Sequence, residues 1–187
     1  MDLPRTVPTL ETARLVLRPF TLDDAPQVVA LMQDGHVAAT TLLIPHPYVL
    51  EDATGWIETH PARAQAGDGY SFALTLRASG ELVGGFGLHP TLPHARAEIG
   101  YWLGTPHWGR GLMTEGARAV LDWAFTHLPL ERVQAGVFVG NAASVRVQEK
   151  LGMRLEGTLR GYYRKDGVQL DSEMRAVLRR EWERSRG

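Results

Sequence analysis

Residues 107–120 read HWGRGLMTEGARAV, two glycines around an arginine followed at once by a run with helical spacing. Glycine lets main-chain N–H groups turn inward and lets a ligand approach closer than any Cβ would permit. The first turn of a helix adds orphan N–H donors and a partial positive charge. Gly109, Arg110 and Gly111, running into Leu112, Met113 and Thr114, therefore have the makings of an anion site, most often one for phosphate. A tight connection that binds nothing is the plainer alternative. Two familiar phosphate loops do not fit. Gly104 and Gly109 stand at the Walker A spacing, but Arg110-Gly111 follows where Lys and Ser or Thr are required. A dinucleotide fingerprint started at Gly109 fails at Thr114, which takes the third glycine position.

The elements that must hold this turn are a strand before it and a helix after it. ARAEIGYWLG (95–104) reads as the strand. Beyond the turn, Met113, Ala117, Val120, Leu121, Ala124, Phe125 and Leu128 recur at helical spacing, enough for one continuous buried face. Upstream, ETARLVLRPF alternates like a half-buried strand that Pro19 ends. TLDDAPQVVALMQD opens with Thr21 and Asp24, close to a capping box, and places Ala25, Val28, Leu31 and Met32 on one helical face. Residues 45–69 are irregular around a short helix near 51–60 and suit a substrate-side region. YSFALTLRASGELVGGFGLHP gives a hairpin of about 70–77 and 82–88, whose Gly84, Gly85 and Gly87 signal a bulge or a close neighbour. RVQAGVFVG (132–140) is a further strand, NAASVRVQEK a short helix capped by Gly152, and the rest a hairpin turning at Asp166-Gly167. The arginine-rich tail from Arg175 reads as a solvated end.

Composition narrows the choice of chemistry. With 187 residues, 44% of them hydrophobic, the chain suffices for one sizeable core, and residues 1–187 are read as a single domain. A net charge of −1 offers no basic face of the kind that dominates nucleic-acid binding. With no cysteine there is no disulfide and no thiolate nucleophile. Seven histidines without a His-Glu-x-x-His motif or any i, i+4 pair argue against a metal site. No apolar run of membrane-spanning length and no signal-peptide pattern is present, so a cytoplasmic location with no membrane partner is the default.

Three segments together resemble the GNAT superfamily of N-acetyltransferases, in its RimJ/RimL branch: LETARLVLRPFTLDD, AEIGYWLGTPHWGRGLMTEG and NAASVRVQEKLGMRLEGTLR. They stand in the family's order and spacing, and the resemblance covers nearly the whole chain. It implies an α/β (α+β) fold, a mixed and mostly antiparallel seven-stranded sheet flanked by helices, with the fourth and fifth strands splayed apart. It also implies acetyl-CoA as co-substrate, no metal, and direct transfer to a primary amine. The family's loop, Gln or Arg-x-x-Gly-x-Gly or Ala, holds the pyrophosphate of coenzyme A through its amides. That frame falls on Trp108, Gly109, Arg110, Gly111, Leu112 and Met113, with Thr114 next in the helix. Trp108 departs from the pattern, as does Met113, whose side chain crowds the phosphate unless it turns into the core. Main-chain groups of Tyr101, Trp102 and Leu103 are implied to pair with the pantetheine arm as an added strand does. Asn141 is implied to bond that arm, with Ser144 near the sulfur; ordinary capping of the short helix is the alternative for both.

Acyl transfer from a thioester to an amine needs a neutral amine, a held donor, a stabilised oxyanion and a protonated leaving thiolate. The resemblance assigns the amine's proton to Glu98, through water, although a strand glutamate facing solvent or pairing with Arg96 fits the same position. Ser144 leads as proton donor to the sulfur with Tyr163 behind it; Tyr162 and Tyr163 equally suit cross-strand packing. The expected acceptor is a protein or peptide N-terminus. An aminoglycoside or polyamine-like amine is the first alternative, and a CoA-binding or interaction protein without turnover the second. Monomer and homodimer stay open.

Overall fold

A computed structural model describes residues 3–186. The described residues form eight strands: β1 Leu10–Glu11, β2 Leu15–Pro19, β3 Tyr70–Leu76, β4 Leu82–Thr91, β5 Arg96–Leu103, β6 Arg132–Phe138, β7 Arg154–Lys165 and β8 Val168–Leu178. They form one sheet in the order β1-β2-β3-β4-β5-β6-β8-β7. Every neighbouring pair is antiparallel except β5 with β6. The expected count of seven is corrected to eight. The extra strand is the two-residue β1, which pairs Leu10 with Leu17 and Glu11 with Val16 at the edge and is too short for alternation to reveal. The strands expected as fourth and fifth are accordingly β5 and β6.

The helices are α1 Ala25–Met32, α2 His36–Thr40, α3 Leu50–Glu58, α4 His60–Ala66, α5 Leu112–His127, α6 Ala142–Lys150 and α7 Arg179–Arg184. Period-two alternation divides the sheet between two cores. On one face Leu15, Leu17, Phe72, Leu74, Phe86, Leu88 and Ile99 meet α5 through Met113, Ala117, Val120, Leu121 and Ala124. Gly116 lets that helix lie close, since a Cβ there would stand 3.1 Å from the Leu74 side chain. On the other face Ala73, Leu82 and Trp102 meet α1 and α3 through Val28, Met32, Ala53 and Ile57. Both readings of the β4 glycines hold: the β3–β4 register shifts at Leu74/Thr75, and a Cβ on Gly84 would stand 2.4 Å from the Trp102 carbonyl oxygen.

The tail is not a solvated end. Trp182 of α7 is buried in the α5 core, and the Arg179 guanidinium donates to the carbonyls of Phe125, Leu128 and Leu130. These carbonyls lie in the last turn of α5 and just beyond it, where chain groups lack helical partners. Among the described residues, no helix is long and apolar enough to cross a membrane.

Candidate active site

The parallel strands β5 and β6 pair only through Arg96–Arg132, Ala97–Val133 and Glu98–Gln134. Beyond Glu98 they part, although β5 runs on to Leu103 and β6 to Phe138. The edge of β5 from Ile99 onward therefore turns unpaired main-chain groups into a fork, and an unpaired edge accepts an extended ligand as it would another strand. A cavity of about 610 Å³ follows this fork, lined by Ile99–Trp102 on one side and Gly136–Phe138, Asn141 and Ser144 on the other.

At the end of β5 the Gly109–Gly111 turn opens α5. Gly109 and Gly111 have φ of 72° and 76°, the left-handed region that glycine enters freely and other residues rarely do. Gly111 is the N-cap residue of α5, with no side chain capping it, so the first-turn N–H groups of Leu112, Met113 and Thr114 are free to meet an anion. Leu112 and Met113 are both buried in the α5 core, which removes the crowding that a methionine threatens at this position. The turn is fastened from the N-terminal region. The Arg14 guanidinium donates to the Arg110 carbonyl at 2.9 Å and to Glu115 at 2.6 Å, and the Thr12 hydroxyl donates to the same carboxylate at 2.6 Å. Burial works to raise the Glu115 pKa, but the Thr12 and Arg14 hydrogen bonds outweigh it and hold the group below the usual range. Trp108 donates its indole N–H to the Leu103 carbonyl at 2.6 Å, joining the turn to the strand end and engaging one of the main-chain groups assigned to the pantetheine arm.

On the α5 side of the fork lies a hydroxyl pair. The Tyr101 hydroxyl is 2.8 Å from Ser144 Oγ, and the Gln148 amide donates to the same oxygen at 3.4 Å. Ser144 comes from α6, whose N-cap is Asn141: its Oδ1 accepts from the Ser144 main-chain N–H at 3.1 Å. Capping is thus the work of the Asn141 side chain and the Ser144 backbone, and the Ser144 hydroxyl points elsewhere. Burial raises the Tyr101 pKa against the opposing Ser144 and Gln148 bonds, so the phenol keeps its proton at neutral pH.

The opposite face of the fork is a chamber with a glycine floor. Gly85 and Gly87 of β4, Gly100 of β5 and Gly136 of β6 all line it. The polar groups rising there are Glu98, His89 and Tyr163. Glu98 is exposed and accepts from the Gln134 amide at 3.4 Å rather than pairing with Arg96. Tyr163 crosses from β7 above Gly136, where a Cβ would stand 3.0 Å from its hydroxyl. It also packs edge-on against Phe138. Burial first, then the charge of Glu98, raises its pKa. Walls come from α3, with Asp52 and Trp56, and from the 40–45 loop. The Lys165 ammonium at the end of β7 donates to the Thr41 carbonyl at 2.7 Å.

The fold brings Glu98, Tyr101, Asn141, Ser144 and Tyr163 onto one cavity, with the 108–114 turn at the end of β5. Sequence reasoning did not find the Tyr101 phenol, Gln148, His89, Arg14 or Lys165. Gln148 was within reach, because it stands four residues after Ser144 on one helix and so on the same face. The others depend on strand register or on contacts distant in sequence.

A family model described as an acetyltransferase (GNAT) domain matches residues 14–154. An uncharacterised N-acetyltransferase of Bacillus subtilis (strain 168), YoaA, is 34% identical over 173 residues, covering 92% of this chain and 97% of that one. Mycobacterium smegmatis RimJ, solved in complex with CoA-disulfide, superposes with a TM-score of 0.78 at 28% identity, over 94% of this chain and 88% of that one. RimL, a ribosomal L7/L12 alpha-N-protein acetyltransferase solved with coenzyme A, shares the fold with a TM-score of 0.84 at 19% identity, over 91% and 98% of the two chains.

Proposed function

This chain belongs to the GNAT acetyltransferase family, and from that premise we propose that it transfers the acetyl group of acetyl-CoA directly to the α-amino group of a protein or peptide. The observation that carries the reading is the fork: a donor laid along the free edge of β5 has the Tyr101–Ser144 pair on one side and the Glu98 chamber on the other. The Gly109–Gly111 turn and the first-turn amides of α5 hold the pyrophosphate. Main-chain groups of Tyr101 and Trp102 hold the pantetheine arm, and Asn141 holds it through its side-chain amide N–H₂. Ser144, backed by Tyr101, returns a proton to the sulfur. Glu98, open to solvent, is the outlet for the amine's proton, and Tyr163 closes the chamber beside it.

The choice of acceptor rests on proton arithmetic. At pH 7 an α-amino group is roughly one-tenth neutral, whereas a lysine side chain is about 0.04% neutral. An exposed carboxylate is enough for the first and a poor base for the second. RimL, named as an alpha-N-protein acetyltransferase, shares this fold. The test is acetyl-CoA turnover against peptides with free N-termini, an N-blocked peptide carrying one lysine, spermidine and kanamycin. Free N-termini are expected to lead. Glu98→Gln should slow the best of them about tenfold to a hundredfold near pH 7, with partial recovery as pH rises through the amine's own pKa. A blocked lysine peptide, spermidine or kanamycin reacting faster than every free N-terminus overturns the acceptor; a mutant profile matching wild type at every pH removes Glu98.

A further inference from the structure

We propose that His89 is the group that first meets the acceptor amine, its imidazole accepting a hydrogen bond from one amine N–H and taking that proton as the N–C bond forms. The inference deepens the reading above and rests on it. His89 and Glu98 are direct partners across the antiparallel β4–β5 ladder, so their Cβ atoms stand about 5 Å apart on one face of the sheet. Both line the chamber, at the point where β5 and β6 separate. His89 Nδ1 is buried without a hydrogen-bond partner, an unusual state for a buried polar atom; Nε2, which lies over the Gly87 floor, is the ring nitrogen left to meet an amine in the chamber. The ring is given room by the glycine floor: a Cβ on Gly87 would stand 2.8 Å from His89 Nε2.

The neighbours suit a neutral ring. His60 and Arg63 come from α4, Asp68 follows that helix, and Glu98 faces His89 from β5. Burial first, then the Arg63 charge, lowers the His89 pKa from 6.5, against the weaker pull of Asp68. At pH 7 the imidazole is uncharged, so it does not repel an amine and has a lone pair to offer. In the transfer the amine nitrogen bonds to the thioester carbonyl carbon and one amine proton passes to His89. The C–S electron pair leaves with sulfur, which receives the Ser144 proton. His89 then releases its proton to Glu98 and the solvent beyond it and returns neutral, while the Tyr101–Ser144 pair regains from solvent the proton it gave to sulfur.

The experiment uses the full chain and whichever amine of the panel above wild type acetylates fastest, so a wrong acceptor class and a wrong role for His89 fail separately. His89→Ala should lower kcat/KM for the amine by about a hundredfold while the KM for acetyl-CoA stays within twofold. His89→Asn, which keeps an acceptor but cannot carry a proton at this pH, should recover the amine KM and leave kcat low. Histidine-labelled wild type saturated with CoA should show a shift of one imidazole nitrogen resonance on adding the amine, absent from His89→Asn. Either alanine kinetics within twofold of wild type or an unmoved His89 resonance overturns the proposal. The asparagine variant serves alone if the alanine variant does not fold, and kcat retained in it likewise refutes the proton step.

Discussion

The sides of the fork proposed for the cofactor and for the acceptor are built in opposite ways. The cofactor side comes from two nearly continuous stretches, β5 through the start of α5 and the start of α6. Its polar groups are mostly main-chain amides, positioned by two left-handed glycines and a helix start. The acceptor side is gathered from α1, the 40–45 loop, α3, β4, β5, β6 and β7, and its polar groups are side chains. A backbone cradle tolerates side-chain change and fails when the main chain cannot take its shape; a side-chain chamber does the reverse. One cofactor can therefore be held by a fixed turn while the acceptor is chosen by scattered positions.

That difference invites breaking one side without the other, and the largest effect is expected at Gly111. A β-branched residue at φ 76° costs about 1–3 kcal/mol in backbone strain, and its Cβ would stand 3.6 Å from the Arg14 guanidinium that fastens the turn. Gly111→Val should weaken CoA binding by roughly thirtyfold to a hundredfold or more, measured by calorimetry, and leave the amine KM within twofold. A comparable loss in both would show that the two sides are not separable. Gly109 has a similar φ, yet a Cβ there meets nothing within 4 Å, so Gly109→Ala tests strain alone and should cost less.

The boundary between the sides is the Tyr101–Ser144 pair. Ser144→Ala removes the hydroxyl but keeps the main-chain N–H that Asn141 caps, so the helix cap survives and any fall in melting temperature reflects the lost Tyr101 and Gln148 hydrogen bonds. kcat should fall about tenfold to a hundredfold with CoA affinity unchanged. Tyr101→Phe should fall by a similar or smaller factor, and because both would act on one proton, the double variant should match the worse single rather than the product. Multiplicative losses would mean that the two hydroxyls act separately, and a lowered melting temperature with normal turnover would return Ser144 to a purely structural role.

Legibility followed the same division. The 95–114 stretch was readable because a strand, a turn and a helix that follow one another in sequence also follow one another in space, and Met113 could be assigned to the core from the spacing of its helix. The splay of β5 from β6 came with the family resemblance rather than from any periodicity. His89 was unreadable, because its meeting with Glu98 depends on the β4–β5 register, which a glycine-rich strand does little to fix. The tail misled for another reason. A run of arginines suggests a solvated end, but the Arg179 fork satisfies three carbonyls at the end of α5, and Arg175 is buried against Glu173. Charge pattern shows only that a side chain carries charge, not what its planar donors reach.

The smallest expected effect lies on the acceptor side alone, at Lys165. Its ammonium donates to the Thr41 carbonyl at 2.7 Å and to the Ile44 carbonyl at 3.4 Å, and so ties the β7 end to the loop whose Thr41, Leu42 and Ile44 line the chamber. Charged hydrogen bonds of this kind contribute about 1.5–3 kcal/mol when sheltered. Lys165 is only half-buried, so water and salt reduce that to about 1 kcal/mol. Lys165→Met keeps the length of the side chain and loses the donor. The loop should then sample positions in which the wall is incomplete, raising the amine KM about threefold to tenfold with kcat and the CoA dissociation constant unchanged. Lys165→Arg, which retains the charge and its donors, should stay near wild type, and higher salt should narrow the gap between wild type and the methionine variant. An unchanged amine KM in Lys165→Met would show that the loop holds its place without the tether. A matching change in CoA affinity would show that the chamber wall and the phosphate turn move together, against the separation of the two sides.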